Sequence, residues 1–592
     1  MILSPNPVSG SRQLRDHTAD HRMIVLAGAA SVIGLAAAGG AWLLLKLIAL
    51  ATNLFWFGRL STANADPAAA HVGIAVVVIP IFGSGIVGLM ARFGSDKIRG
   101  HGIPEAIEAI LYGESRLSLK VAILKPLSSA ISIGSGGPFG AEGPIIMTGG
   151  AIGSLFAQCF SMSAAERKTL LVAGAAAGMT GIFGTPLAAI LLAVEVLLFE
   201  WKPRSLVPVV IAVLVSIGAR PFLLGAGPLF PFAAAPVAAV WQAASLSLAL
   251  GILLGVEAAV LSSLLYRVED LFHRLPVHWM WWPAIGGVVV GIGGLIDSHV
   301  LGAGYANIQA LLDGALTMRV VLALLVVKAI VWLVALGSGT SGGVLAPLLI
   351  LGGALGALAG HLLPGPAGFW ALIGMAGILS GAMRAPLTGA IFVVELTGHF
   401  NALPCTIAAA AGAYAASVLI MPRSILTEKI ARRGRHILQE YSVDPLEFLQ
   451  AENVMTANPV TLAGDMPIRA AVEYFTDSAD HRSYPVVDDE GRLLALVSRS
   501  DALRWQVSGE LPETPLAEAL SDASQPFAYP ATPIGEVADL MVDSGIGRIP
   551  IVDPRTQRVV GILSRHDLLK VRSVGRRAER DRKRGSAPDT SV

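Results

Sequence analysis

Three glycine-rich segments hold the residues best placed to do chemistry. They read Gly100-His101-Gly102-Ile103-Pro104-Glu105, Gly140-Ala141-Glu142-Gly143-Pro144 and Gly343-Val344-Leu345-Ala346-Pro347. In each, glycine precedes an apolar run with a proline near its start. Proline suits the first turn of a helix, and glycine lets backbone N–H groups come close to a ligand. A helix start leaves free N–H donors and a partial positive charge. Several such starts converging inside a membrane would hold an anion without any fixed cation. A full positive charge would bind too tightly to let the ion leave, and conduction needs moderate binding. Taken singly, each segment equally fits an ordinary turn between helices.

The elements that would position these segments are apolar. Of 592 residues, 54% are hydrophobic and 14% charged, and mean hydropathy is +0.66. A soluble globular chain carries roughly 25% charged residues. The charge is uneven: Asp, Glu, Lys and Arg make up 33 of the 400 residues from 23 to 422, but 41 of the 155 from 438 to 592. A long membrane part therefore precedes a module of ordinary soluble composition. The net charge of +1 gives no footprint for nucleic acid. Two distant cysteines, Cys159 and Cys405, make neither a disulfide framework nor a metal cluster.

Runs 24–50, 72–92, 205–226, 235–265 and 403–421 are long enough to span a bilayer. Runs 121–133, 143–157, 343–363 and 385–397 are short or broken by Gly and Pro, which points to discontinuous helices ending inside the membrane. Two copies of one unit are present. Gly134-Ser135-Gly136, Pro144, Gly149-Gly150 and Gly153 return 203 residues later as Gly337-Ser338-Gly339, Pro347, Gly352-Gly353 and Gly356. Pro186-Leu187 and Glu195 return 200 residues later as Pro386-Leu387 and Glu395.

Over about residues 25–435 the chain resembles the CLC family of chloride channels and chloride/proton antiporters, whose filter motifs read GSGIP, G(K/R)EGP and GxFxP. The resemblance extends through Gly134–Gly150, Gly174–Glu195, Gly337–Gly356 and Arg384–Gly398. It implies an all-α polytopic fold of two inverted halves with many short and broken helices, assembled as a homodimer with one pore per subunit and both termini cytoplasmic. The cluster Arg423, Lys429, Arg432, Arg433 and Arg435, just past the last apolar run, puts that flank on the cytoplasmic side by the positive-inside rule. Glu142 matches the family's gating glutamate. Ionised, it competes with a halide for the helix-start donors; protonated, it lets go. Val344 and Leu345 match the backbone ligands of the central anion.

Four departures from the pattern bear on mechanism. His101 stands where the family's central serine lies; its imidazole either meets the anion or points away and leaves the work to backbone donors. Ala141 replaces the basic residue beside the gating glutamate. Leu426, in Ser424-Ile425-Leu426, falls where an anion-coordinating tyrosine is expected. Val196 occupies the position of the antiporters' inner proton glutamate. Its neighbour Glu195 has a counterpart, Glu395, in the other half and reads as structural; one residue along a helix also turns it by about 100°. Lys125 and Glu105 are further ionisable groups near the filter, functional candidates or helix-end groups near water.

Residues 450–572 hold a second repeat, of period about 65. Ser483-Tyr484-Pro485-Val486-Val487-Asp488 returns as Arg548-Ile549-Pro550-Ile551-Val552-Asp553. Leu496-Val497-Ser498-Arg499-Ser500-Asp501 returns as Ile562-Leu563-Ser564-Arg565-His566-Asp567. Short β-branched strands alternate with amphipathic helices such as Ile468–Phe475 and Ile534–Met541. This resembles a tandem pair of CBS domains, an α/β module. In that family Ser498 with Asp501, and Ser564 with Asp567, would meet the phosphate and ribose of an adenine nucleotide; many CBS pairs serve instead in dimerisation and linkage. Ala495 stands where the second copy has Gly561.

The expected organisation is a cytoplasmic tail (1–22), a CLC membrane domain (23–435), a linker (436–449), CBS domain 1 (450–510), CBS domain 2 (511–573) and a basic disordered tail (574–592). The expected function is passage of chloride or similar monovalent anions through a glutamate-gated pore in the plasma (inner) membrane, with regulation by the CBS pair. Val196, the missing tyrosine and His101 lean toward channel-like or weakly proton-coupled conduction. The alternative is a chloride/proton antiporter, with protons a second substrate; a fluoride exporter is a remoter variant. A CBS-bearing divalent cation transporter would need inward-facing acidic oxygens, and a membrane enzyme would need a nucleophile–base pair or cofactor loop; the chain offers neither pattern. No cofactor or metal is required; an adenine nucleotide at the CBS pair is the one candidate ligand of that kind.

Overall fold

In hydrocarbon every backbone polar group needs an internal partner, so apolar runs of this kind must become helices. The computed structural model describes residues 21–70, 72–160, 162–233, 240–435, 449–508, 512–520 and 525–571. Most of the expected N-terminal tail, the linker apart from Leu449, and the basic tail lie outside the described residues. The chain divides into two units that meet in sequence between Gln439 and Glu440.

The first half of the membrane unit runs α1 (Arg22–Phe57), α2 (Ala75–Phe93), α3 (Ile103–Tyr112), α4 (Leu119–Gly134), α5 (Glu142–Cys159), α6 (Ala164–Phe183), α7 (Pro186–Leu192) and α8 (Pro203–Leu223). Then follow α9 (Val240–His273), α10 (Trp282–Ile296), α11 (Tyr305–Leu312), α12 (Met318–Ala323), α13 (Ala329–Gly337), α14 (Leu345–Ala359), α15 (Ala367–Met383), α16 (Pro386–Thr397), α17 (Leu403–Ile420) and α18 (Glu428–Arg432). Among the described residues, seven helical segments are long and apolar enough to cross a membrane. Two of them, Trp279–Ile296 and Met318–Gly337, were not among the runs read from the sequence. Side chains such as Phe82, Leu253 and Leu419 stand out on helix faces, where lipid, not water, is the fitting neighbour. The protein is a multi-pass membrane protein.

Ends are closed by recognisable devices. Ser163 accepts from the N–H of Glu166 (3.2 Å) while Glu166 accepts from the N–H of Ser163 (2.8 Å), a capping box at the start of α6. Pro80, Pro126 and Pro208 lie inside helices, tolerable where neighbouring helices re-satisfy the backbone. The sequence repeat appears as repeated packing. A Cβ on Gly149 would collide with the carbonyl of Gly174, and the reverse also holds; Gly352 and Gly374 make the same mutual approach between α14 and α15. Small residues let membrane helices approach where hydrophobicity cannot drive them together. Gly136 and Gly339, 203 apart, both need positive φ (102° and 83°) to turn the chain away from α4 and α13.

The second unit has strands β1 (Thr456–Ala457), β2 (Leu462–Ala463), β3 (Ser483–Val487), β4 (Leu493–Ser498), β5 (Arg548–Val552) and β6 (Val559–Ser564), with α19 (Ile468–Asp477), α20 (Arg499–Ser508), α21 (Leu516–Ala519) and α22 (Ile534–Asp543). Its sheets are ordered β2-β3-β4 and β1-β6-β5. The two hairpins share one register: Val486 faces Ala495 as Ile551 faces Gly561. Packing crosses between the two copies. Ala451 is buried among Ile534, Ile549 and Leu563 of the second copy, whereas Leu516 and Leu520 are buried among Phe475 and Val497 of the first. Each copy's leading segment thus completes its partner's core. The same exchange explains Gly561, since Met455 occupies the space its side chain would need.

Candidate functional site

The three glycine-rich segments are laced together by backbone. Gly140 and Gly343 form an antiparallel bridge, and Gly100 and Ser341 a parallel one. Gly343 N–H donates to the Gly140 carbonyl at 2.9 Å, and Gly342 N–H to the Gly100 carbonyl at 3.4 Å. A Cβ on Gly143 would strike the carbonyl of His101. The starts of α3, α5 and α14 therefore meet at one place. None of the three has a side-chain cap on its first turn. Pro104, Pro144 and Pro347 lie within those first turns, and all three starts are buried. Uncapped N–H groups and three positive helix ends are thereby focused on one small volume.

Glu142 occupies that volume. Its residue is fully buried, and its carboxylate is turned toward the backbone N–H groups of Glu142 itself and Ala346, with no side-chain partner. The carboxylate lies where a side chain on Gly140 or Gly343 would have to be, and it faces the backbone of Ala346. Ala141, Val344, Leu345 and Ala346 are buried around it. His101 is also buried, and both ring nitrogens are without partners. It lines a cavity of about 560 Å³ that opens beside the junction. Arg99, Lys429, Arg432 and Arg433 line this cavity, opposed by Asp96, Glu269 and Asp270. The Arg99 guanidinium rests on Trp279, 4.7 Å from the ring centre.

Lys125 and Glu105 hold the site. The Lys125 ammonium donates to the carbonyls of Ile98 (2.8 Å) and Gly100 (2.7 Å) and to the Ser341 hydroxyl (3.1 Å). Glu105 is bridged to Lys429 at 2.8 Å and Arg433 at 3.3 Å, tying α3 to α18. Sequence reasoning did not single out Lys328, which repeats Lys125's role on the carbonyls of Val300 (3.1 Å) and Gly302 (3.3 Å). Its signal was available: Lys328 follows Lys125 at the repeat offset of 203. Tyr305 was missed as well. Its hydroxyl accepts the N–H of Ala141 at 3.4 Å, one residue from Glu142.

Other candidates lie elsewhere. Leu426 is buried in the core beside Ile425, whose carbonyl accepts the Tyr266 hydroxyl at 2.6 Å. Val196 is wholly buried among apolar neighbours. Glu195 spends its carboxylate on α16, accepting from the N–H of Leu387 (3.2 Å), the N–H of Thr388 (2.8 Å) and the Thr388 hydroxyl (2.6 Å). Glu395 does the same for α7, accepting from Leu187 (3.0 Å) and Ala188 (2.8 Å). In the second unit, Ser498 donates to Asp501 and Ser564 to Asp567, each at 2.6 Å. Each pair closes its own strand-to-helix turn.

Comparison with known proteins gives the same picture. Residues 82–418 match the family model of the voltage gated chloride channel, and residues 451–508 and 517–574 each match the CBS domain. The H(+)/Cl(-) exchange transporter ClcA of Yersinia pestis bv. Antiqua (strain Angola) is 31% identical over 330 residues, covering 53% of this chain and 68% of the relative. That of Salmonella newport (strain SL254) is 32% identical over 329 residues, covering 53% and 69%. Among solved structures, a slow cyanobacterial Cl-/H+ antiporter is similar with TM-score 0.61 at 22% identity, over 70% of this chain and 99% of that one. A eukaryotic CLC transporter is similar with TM-score 0.58 at 20% identity, over 92% and 98%. At that identity the structures speak for the fold. The family model and the ClcA relatives carry further: this chain belongs to the voltage-gated chloride channel family, with a pair of CBS domains after its membrane part.

Proposed function

We propose that the chain carries chloride and similar monovalent anions across the membrane, past Glu142, with protonation of that residue as the gate. The observation that carries this reading is the buried carboxylate of Glu142, turned on backbone N–H groups among three helix starts without side-chain caps. An anion and an ionised carboxylate want the same N–H donors, so each excludes the other. The basic residues lining the cavity beside His101 supply attraction at one mouth of the path. The arginine-rich flank after α17 supports a cytoplasmic side for that mouth and a cytoplasmic CBS pair, and the assembly is a homodimer in the plasma (inner) membrane. The CBS pair regulates passage.

Channel-like or weakly coupled conduction rests on Val196, which offers no proton, and on Glu195, whose carboxylate is committed to α16. Strict chloride/proton exchange is the second reading, favoured by the ClcA relatives, which are named as H(+)/Cl(-) exchangers. One experiment separates them. Purified protein in liposomes with a chloride gradient is followed by chloride efflux and external pH, with and without a protonophore. Chloride flux without proton movement supports the first reading. Uphill proton movement driven by chloride establishes exchange, and absence of chloride flux refutes both.

A further inference from the structure

The neighbourhood of Glu142 contains a phenol that the reading above does not use. Tyr305 opens α11, straight after Gly304, whose φ is 70°. The backbone leading to it is held from two sides. Lys328 donates to the carbonyls of Val300 and Gly302, and Gly302 N–H donates to the Gly136 carbonyl at 2.9 Å. The ring leans on Phe230, with centroids 5.9 Å apart, and Phe230 is itself buried. This is a rigid mounting for one hydroxyl.

That hydroxyl accepts the N–H of Ala141, the residue at the head of α5, at 3.4 Å. A phenol accepts and donates, so the bond to Ala141 leaves its O–H proton to give. The charged neighbour acting on Tyr305 is Glu142. The Glu142 oxygens lie in the space between Gly140 and Gly343. When an anion takes that space, the protonated side chain must go elsewhere, and once it gives up its proton there the carboxylate needs a donor.

We propose that the Tyr305 hydroxyl is that donor: a latch that receives the Glu142 carboxylate when it yields its place to an anion. Tyr305 is then a positioning residue that acts through Glu142. The inference rests on the gating role given to Glu142 above. It also accounts for a hydroxyl in this chain at the head of α5, although the position expected to carry the inner tyrosine holds Leu426.

The test is Tyr305→Phe, which keeps the ring on Phe230 and removes only the O–H. Chloride uptake into liposomes is measured against chloride concentration in four chains: parent, Tyr305→Phe, Glu142→Ala, and the double variant. A hydrogen bond to a charged group is worth on the order of tenfold or more. Tyr305→Phe should therefore raise the half-saturating chloride concentration about tenfold, with the rate at saturation little changed. In the Glu142→Ala background, which also reports that the pathway has folded, the same substitution should leave half-saturation unchanged. Equal shifts in both backgrounds would mean that the hydroxyl meets the ion or supports the fold, and the latch is refuted. No shift in either background refutes it too. Absence of flux in the parent chain would overturn the transport reading and the latch together.

Discussion

At the scale of single residues, the site uses one carboxylate and borrows everything else from the backbone. Glu142→Gln should remove the competition with the anion, because a neutral amide no longer claims the helix-start donors. Chloride flux in the parent chain should rise as pH falls, since protonation empties the same donors. In Glu142→Gln the flux should be high and flat with pH; a profile that still follows pH would sink the gating role. Lys125 invites a stability test. Lys125→Met removes the Lys125 donor from the carbonyl of Ile98 and leaves that of Gly100 only the longer bond from Gly342 N–H, at a cost of about 1–3 kcal/mol for a buried group left unpaired. A lower melting temperature in detergent, with weakened chloride binding by calorimetry, is the expected outcome. Glu142 and Glu105 were legible in the sequence because charges are rare there and these two stand in glycine-rich segments; Lys125 was legible as a lone charge in an apolar run. Tyr305 was not legible, because its hydroxyl reaches Ala141 across 164 residues of chain and tyrosine is unremarkable in an apolar run.

Helices explain what Glu195 does. It accepts three hydrogen bonds at the first turn of α16, and Glu395 answers at α7. A carboxylate at a helix start is worth about 1 kcal/mol as a cap, more when partly buried. Glu195→Gln and Glu395→Gln should therefore each lower the thermal stability of the solubilised protein by a similar amount, about 1 kcal/mol. Neither should alter the ratio of protons to chloride moved. A changed ratio in Glu195→Gln at unchanged stability would contradict the capping role. The sequence repeat already paired these two glutamates and pointed to hydrogen bonding, though not to the exchange of partners between halves. Two spanning segments escaped the reading of apolar runs for physical reasons. Trp279–Ile296 begins in a cluster of tryptophans and is thinned by glycine, and Met318–Gly337 carries Lys328, whose charge is answered by carbonyls and not by water.

For the molecule as a whole, sequence repeats marked the units more faithfully than they marked the packing. The membrane repeat and the packing repeat coincide, because glycine pairs such as Gly149 with Gly174 must recur wherever the same helices cross. In the CBS pair they part company, since β1 lies in sequence beside the first copy and pairs with β6 of the second. Ala451→Asp in the full chain makes this measurable. It buries a carboxylate without a partner, which costs several kcal/mol. Hydrogen exchange should accelerate in β5 and β6, while β3 and β4, nearer in sequence, stay protected. Acceleration confined to β3 and β4 would show that the cores are not exchanged.

The crossed glutamate caps of α7 and α16 also matter while the protein is being made. The N–H of Ala188 leaves the ribosome 207 residues ahead of the carboxylate that binds it. At about 5–20 residues per second, that interval lasts roughly ten to forty seconds. Throughout it, the growing chain carries an unfinished helix end that only its own later half can finish. The halves are therefore not two modules made in succession but one object completed at the end of synthesis. A ribosome that stops before residue 395 leaves a product for the cell's quality control, not half a transporter.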